Sequence, residues 1–146
     1  MGKIYYVMGK SASGKDTIYK RLVKKMPELG TVRMYTTRPI RDGETNGVEY
    51  IFTDEKQLQA MKDAGKVIEC RTYDTIYGPW SYFTADDGQI DLGSCSYLMM
   101  GTLESYEGLC KYYGAEVMVP LYIHVEDGVR LQRALNRENT QKNPKY

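Results

Sequence analysis

The sequence predicts an α/β protein, a parallel sheet flanked by helices, from three observations. A short apolar run at residues 4–8 ends on a glycine and leads into a helical pattern over 15–26, closed by Pro27; a buried parallel strand feeding a helix reads this way. Apolar runs at 97–100 and 117–125 have the length of two further central strands, with a helical pattern over 102–113 between them. The third, apolar throughout, is expected to be fully buried although Pro120 interrupts it. A last helical pattern covers 127–136, with Val129, Leu131 and Leu135 apolar and Arg130, Arg133 and Arg137 three and four residues apart.

The junction of the first strand and helix carries the strongest chemical signal. It reads Gly9-Lys10-Ser11-Ala12-Ser13-Gly14-Lys15-Asp16-Thr17, with Gly9, Gly14 and Lys15 at the spacing of a phosphate-cradling P-loop. Glycines at both ends let successive backbone N–H groups turn toward an anion. The helix N-terminus favours negative charge, and the Lys15 ammonium can reach terminal phosphates. Residues 9 and 11–17 are therefore the candidate contacts to a nucleoside triphosphate such as ATP. Asp16 stands where the pattern places a hydroxyl residue for magnesium, so a Mg2+ ligand here is Asp16, through its carboxylate, or Thr17, through its hydroxyl.

At 146 residues the chain is the size of one domain, and 42% hydrophobic residues with a net charge of +1 exclude global disorder and generic binding to nucleic acid. The charge is unevenly spread: residues 1–41 carry ten Lys or Arg, whereas 42–126 carry fifteen acids against five bases. An anion pocket lined by the two basic ends follows. No apolar run reaches membrane-spanning length, the start is too short for a signal peptide, and Cys70, Cys95 and Cys110 lack metal-ligand spacing; a cytoplasmic location is expected. The composition leaves the oligomeric state open.

Between the core elements the chain is turn-rich. A strand-like stretch at 31–35 precedes Thr36-Thr37-Arg38-Pro39-Ile40-Arg41-Asp42-Gly43-Glu44, and Gly47 and Tyr50 follow. Two arginines on a proline-fixed loop offer planar donor forks suited to phosphate. Thr53 and Asp54 can cap a helix over about 54–64, and 67–72 and 75–77 read as strands that leave Glu69 and Tyr77 available to a pocket. Residues 79–93, with aromatics at 80, 82 and 83 and a turn at Asp86-Asp87-Gly88, read as a hairpin with an exposed turn. His124, the only histidine, has no nucleophile or metal partner in sequence and reads as a packed or surface residue.

The combination of the 9–15 loop with the 36–44 segment and Gly47 and Tyr50 resembles the guanylate kinase family of P-loop nucleoside-monophosphate kinases. The resemblance implies a P-loop NTPase-type parallel core of about 1–33 and 94–130. It also implies a small inserted mixed-sheet GMP-binding subdomain of about 34–93 and a partial lid of about 131–146, a shortened form of the family's chain. Arg38, Arg41, Tyr50 and Tyr77 would hold the GMP phosphate, Glu69 would accept from the guanine N–H groups, and Arg133 and Arg137 match lid arginines. Pro79 replaces a hydroxyl residue after the Tyr-Gly pair, and Thr102 stands near the family's acidic strand end.

The expected activity is ATP-dependent phosphorylation of GMP to GDP with Mg2+. Lys15, Arg38, Arg133 and Arg137 would act on the transferring phosphoryl group; such transfer needs positioning and charge more than a protein nucleophile. The alternatives are another nucleotide or nucleoside kinase on the same scaffold, and a guanylate-kinase-like binding module without chemistry.

Overall fold

The computed structural model describes residues 1–140. Its core is a four-stranded parallel sheet in the order β2-β7-β1-β8, formed by β1 (Ile4–Gly9), β2 (Gly30–Thr31), β7 (Tyr97–Met100) and β8 (Met118–Ile123). Helices α1 (Lys15–Lys25), α3 (Leu103–Tyr113) and α4 (Asp127–Thr140) follow β1, β7 and β8. Ile4, Tyr6, Met8, Met99, Leu109 and Met118 form the centre of the core. Each of these side chains contributes roughly 1.5–3 kcal/mol of transfer free energy when fully buried.

Tyr6 is the polar exception inside that core. Its hydroxyl donates to Ser105 Oγ at 2.6 Å, which satisfies a group that would otherwise be costly to bury. Burial pushes its phenol pKa up, partly opposed by that hydrogen bond.

A second, mixed sheet in the order β4-β3-β6-β5 is built from β3 (Tyr35–Thr36), β4 (Ile51–Phe52), β5 (Val67–Thr75) and β6 (Gly78–Ala85). Helix α2 (Glu55–Asp63) covers one face, where Leu58, Phe83 and Ala85 are buried and Tyr35, Met61, Val67 and Cys70 pack against them. Asp54 caps α2, its side chain accepting from the Gln57 N–H at 2.8 Å. Val67 and Cys70 share this face although they stand three positions apart, which strict alternation forbids. A register shift between Val67 and Glu69 resolves the conflict and sends Glu69 and Arg71 to the opposite face.

Several expectations are corrected. The stretch at 31–35 is split: Gly30–Thr31 belongs to the core sheet and Tyr35–Thr36 to the second sheet. The hairpin expected within 79–93 is instead β5 with β6, closed at Ile76 and Tyr77 between the paired Thr75 and Gly78; Asp86-Asp87-Gly88 lies beyond the end of β6. Strand β8 pairs only with β1, so it is an edge, not fully buried: Met118 is buried, and from Val119 on half-buried residues alternate with exposed ones. Pro120 is tolerated there because an edge strand has unpaired N–H positions. On α4, Val129, Leu131 and Leu135 are exposed. Helix α1 ends one residue early, and its C-cap Met26, expected on the inner face, is exposed.

Candidate active site

The loop after β1 is shaped by backbone conformation. Gly14 adopts the left-handed region (φ 88°) as the N-cap of α1, and Ala12, with φ 62°, is the one non-glycine residue at positive φ among those described. A single non-glycine residue held there costs of order 1–3 kcal/mol and marks a loop over-determined by its surroundings. Ser13 N–H donates to Lys10 O at 3.1 Å, and Ile18 N–H to Gly14 O at 3.0 Å. A Cβ on Gly9 would stand 2.5 Å from Ser13 Oγ, so the loop folds against its own strand end.

Helix α4 closes over this loop through arginines. Arg133 Nη1 donates to Ala12 O at 3.3 Å, and Arg130 Nη1 to Ser11 O at 3.2 Å. Arg130 also pairs with Asp127, whose carboxyl that contact holds below its ordinary pKa, with Lys10 adding to the effect. Residues 10–18, Arg133 and Arg137 together line one cavity of about 740 Å³. The structure thus brings Ser11, Ala12, Ser13, Gly14, Lys15, Asp16 and Thr17 together with Arg133 and Arg137, and Gly9 closes the loop behind them. Ser13 is 3% exposed and its hydroxyl, packed against Gly9, has no hydrogen-bond partner, an orphan buried polar group. Arg130 went unnoticed as a loop contact; its place in the 130/133/137 series is the signal that could have found it.

A second group of polar residues lies on the face of the mixed sheet away from α2. Arg38 is 4% exposed and donates to both oxygens of Glu44 at 2.8 Å. Its guanidinium carbon lies 5.3 Å from the Tyr50 ring centroid and 5.5 Å from that of Phe52, two cation–π contacts from rings that are edge-on to each other at 6.1 Å. The hydrogen bond to Arg38, with a further one from the Arg41 N–H, holds the Glu44 carboxyl down at about 2, against the opposing effect of burial. Arg41 is exposed beside it. Tyr50 is half-buried, edge-on to Tyr82 at 5.6 Å. Burial and Tyr82 push its phenol pKa up, with a smaller contribution from Asp16 of the loop after β1. Tyr77 is placed at the β5–β6 turn, 78% exposed and stacked on Trp80.

Glu69 is buried rather than open to solvent. Its Oε1 accepts from Thr84 Oγ1 at 2.7 Å and its Oε2 from Arg71 Nε at 3.1 Å. Arg71, the residue that sequence reasoning missed, also donates to Thr102 Oγ1 at 3.2 Å, and Thr102 caps α3 by accepting from the Ser105 N–H. Burial works to lower the Arg71 pKa, but the charge and hydrogen bond of Glu69, together with Tyr6 and Tyr73, outweigh it and raise the pKa, so the guanidinium is held charged. The signal available was Arg71's position two residues from Glu69 on a strand, which puts both on one face.

Three comparisons bear on this arrangement. The guanylate kinase family model matches residues 1–81. The guanylate kinase of Legionella pneumophila (strain Lens) is 37% identical over 78 residues, covering 53% of this chain and 37% of that protein; the guanylate kinase of Coxiella burnetii is 37% identical over 76 residues, covering 51% and 37%. In each case the matched segment is little more than a third of the relative's length. The crystal structure of guanylate kinase from Anaplasma phagocytophilum superposes with a TM-score of 0.69 at 21% identity, over 92% of this chain and 67% of that one, a likeness of fold. With the family model spanning more than half of the sequence, the chain belongs to the guanylate kinase family.

Proposed function

We propose that this protein transfers the γ-phosphoryl group of ATP to GMP, giving ADP and GDP. The observation that carries the reading is the cavity in which Lys15 and the loop amides face Arg133 and Arg137. Such a cradle suits a triphosphate and the charge that spreads over its equatorial oxygens during transfer. Lys15 and the N–H groups of residues 11–17 hold the donor phosphates. Arg133 and Arg137 neutralise charge as the group moves in line, and Arg38, Arg41, Tyr50 and Tyr77 hold the acceptor phosphate. Glu69 accepts from the base N–H groups. An acceptor phosphate oxygen attacks the γ-phosphorus and the bond to the β–γ bridging oxygen breaks, so no protein nucleophile is needed.

Residues of about 34–93 are read as the acceptor subdomain and 131–146 as the lid; its last six residues lie outside those described. Mg2+ in such sites keeps several waters and is bound by one or two carboxylates together with substrate phosphates. The exposed Asp16 carboxylate and Thr17 hydroxyl at the cavity wall fit that mode. No group of three or more His, Cys, Asp or Glu that could hold a metal without a ligand occurs among the described residues. Held there, such an ion would supply charge neutralisation to the transferring phosphoryl group. No helix of the described residues is long and apolar enough to cross a membrane, and the near-neutral charge supports small-molecule substrates in the cytoplasm rather than nucleic acid.

The test is ADP formation from ATP and Mg2+ with GMP, dGMP, AMP, CMP and UMP in turn, for the wild type, Lys15→Ala and Glu69→Ala. GMP-selective turnover lost in both variants supports the reading. Turnover with another acceptor, or GMP binding without turnover, overturns it.

A further inference from the structure

Arg71 is a buried cation whose bonds differ sharply in quality. Its Nε meets a carboxylate and its Nη1 a hydroxyl, but its Nη2 faces the thioether sulfur of Met34 at 3.6 Å. A thioether is a weak acceptor, and buried guanidinium groups are ordinarily matched by oxygens on every side. Glu69 and Arg71 both line an open cavity of about 440 Å³ between β5 and α3, with Glu104, Gly108 and Lys111 across it. Side by side on one strand face, their head groups put acceptor oxygens next to N–H donors on the side of Met34, Tyr82, Thr84 and Thr102.

Resting on the guanylate kinase reading above, we propose that Arg71 is a specificity-determining residue that donates to the exocyclic oxygen of a 6-oxopurine while Glu69 accepts from the ring N–H and the amine. The Watson–Crick edge of guanine runs oxygen, N–H, amine, so a guanidinium beside a carboxylate complements it in that order. Adenine turns an amine toward the guanidinium and an unprotonated nitrogen toward the carboxylate, leaving both buried charges mismatched; sites of this kind reject by unpaired polar groups. The base oxygen replaces Met34 sulfur as the partner of Nη2. Pro79, lacking an N–H and a hydroxyl, supplies no competing donor.

The alternative role for Arg71 is a clamp that joins β5 to Thr102 at the start of α3. The two are separated by measuring binding and turnover of GMP, 6-thio-GMP, IMP and AMP with the full chain and ATP-Mg2+, for the wild type, Arg71→Met and Arg71→Lys. 6-Thio-GMP keeps both N–H donors and replaces the oxygen with sulfur; IMP keeps the oxygen and lacks the amine. We expect the wild type to favour GMP over 6-thio-GMP by about tenfold or more, the worth of one hydrogen bond to a charged group. Arg71→Met brings that ratio close to one and leaves the GMP-to-IMP ratio unchanged, and Arg71→Lys restores part of it. An unchanged GMP-to-6-thio-GMP ratio, with all nucleotides weakened alike, overturns the inference in favour of the clamp. If Arg71→Met does not fold by circular dichroism, the wild-type ratio and Arg71→Lys decide, and a wild-type ratio near one overturns the proposal. Selective GMP binding without turnover refutes the kinase reading and leaves the Arg71 assignment standing; no binding of any monophosphate refutes both.

Discussion

Arg38 and Glu44, six residues apart on one loop, form a two-pronged ion pair with both bonds at 2.8 Å, and the Arg38 guanidinium makes cation–π contacts with the Tyr50 and Phe52 rings. The pair fixes the direction of Arg38 before any anion arrives. Such preorganisation lowers the cost of holding a phosphate, because the long side chain is already ordered.

The pair has a pH signature. The Glu44 carboxyl is lowered from its ordinary 4.5 to about 2 in the fold. Its contribution to stability is therefore complete above about 4.5, where the unfolded chain is also ionised, and is lost as the pH falls from there through 2. Urea unfolding between pH 7 and pH 2 is expected to show this loss in the wild type and a flatter profile in Glu44→Gln, which is also less stable at pH 7. Equal slopes for the two proteins would refute the assignment.

Lys15→Ala is expected to lower kcat for GMP phosphorylation by about 100-fold or more, the usual effect of removing one charge-stabilising group at a transition state. Thermal unfolding should move little, because Lys15 makes no ion pair within 4.0 Å of a described acid and is half-exposed. A large fall in stability would point to a structural role instead.

Arg133→Ala removes charge at the cavity beside the loop after β1 along with a bond to Ala12 O, whereas Arg130→Ala removes a bond to Ser11 O and the pair with Asp127. We expect Arg133→Ala to cost roughly 10³-fold in kcat, as charge-neutralising arginines do in phosphoryl transfer. Arg130→Ala should act mainly by loosening the loop and raising KM for ATP. Steady-state kinetics with varied ATP reads the split.

Gly108 is where α3 meets β5: a Cβ there would stand 2.6 Å from the Glu69 Cβ. Gly108→Ala forces the helix off the strand that carries Glu69 and Arg71. A loss of about 1–3 kcal/mol is expected, with weaker GMP binding, as read by chemical denaturation and calorimetry. Unchanged stability and affinity would show that the two elements separate freely.

The division between what could be read early and what could not follows the range of the interactions. The order Gly9, Gly14, Lys15 specified a strand, loop and helix because its chemistry is local: a positive-φ cap, a helix N-terminus and a charge within one turn. The Arg38 to Tyr50 segment by its own chemistry read as a turn-rich loop with two arginines, and its expected role came from the family resemblance. The hairpin was misplaced because Ile76-Tyr77 carries none of the Asn-Gly or Asp-Gly chemistry of a two-residue turn, while Asp86-Asp87-Gly88 does. The edge position of β8 was signalled by Pro120 but outweighed by its apolar composition.

By itself the sequence determined the α/β class, from the alternation of short apolar runs and helical patterns, and the strand–loop–helix form of the first segment, which rests on residues within a few positions of one another. Only the tertiary structure decided that Glu69 is paired with Arg71, that Arg71 reaches Thr102 from 31 positions away, and that Arg130 and Arg133 of the last helix hold the first loop. Those contacts depend on a register shift in β5 and on helices brought together across the core. A strand's pairing register and a helix's docking are set by the summed packing of distant residues, which no local stretch encodes.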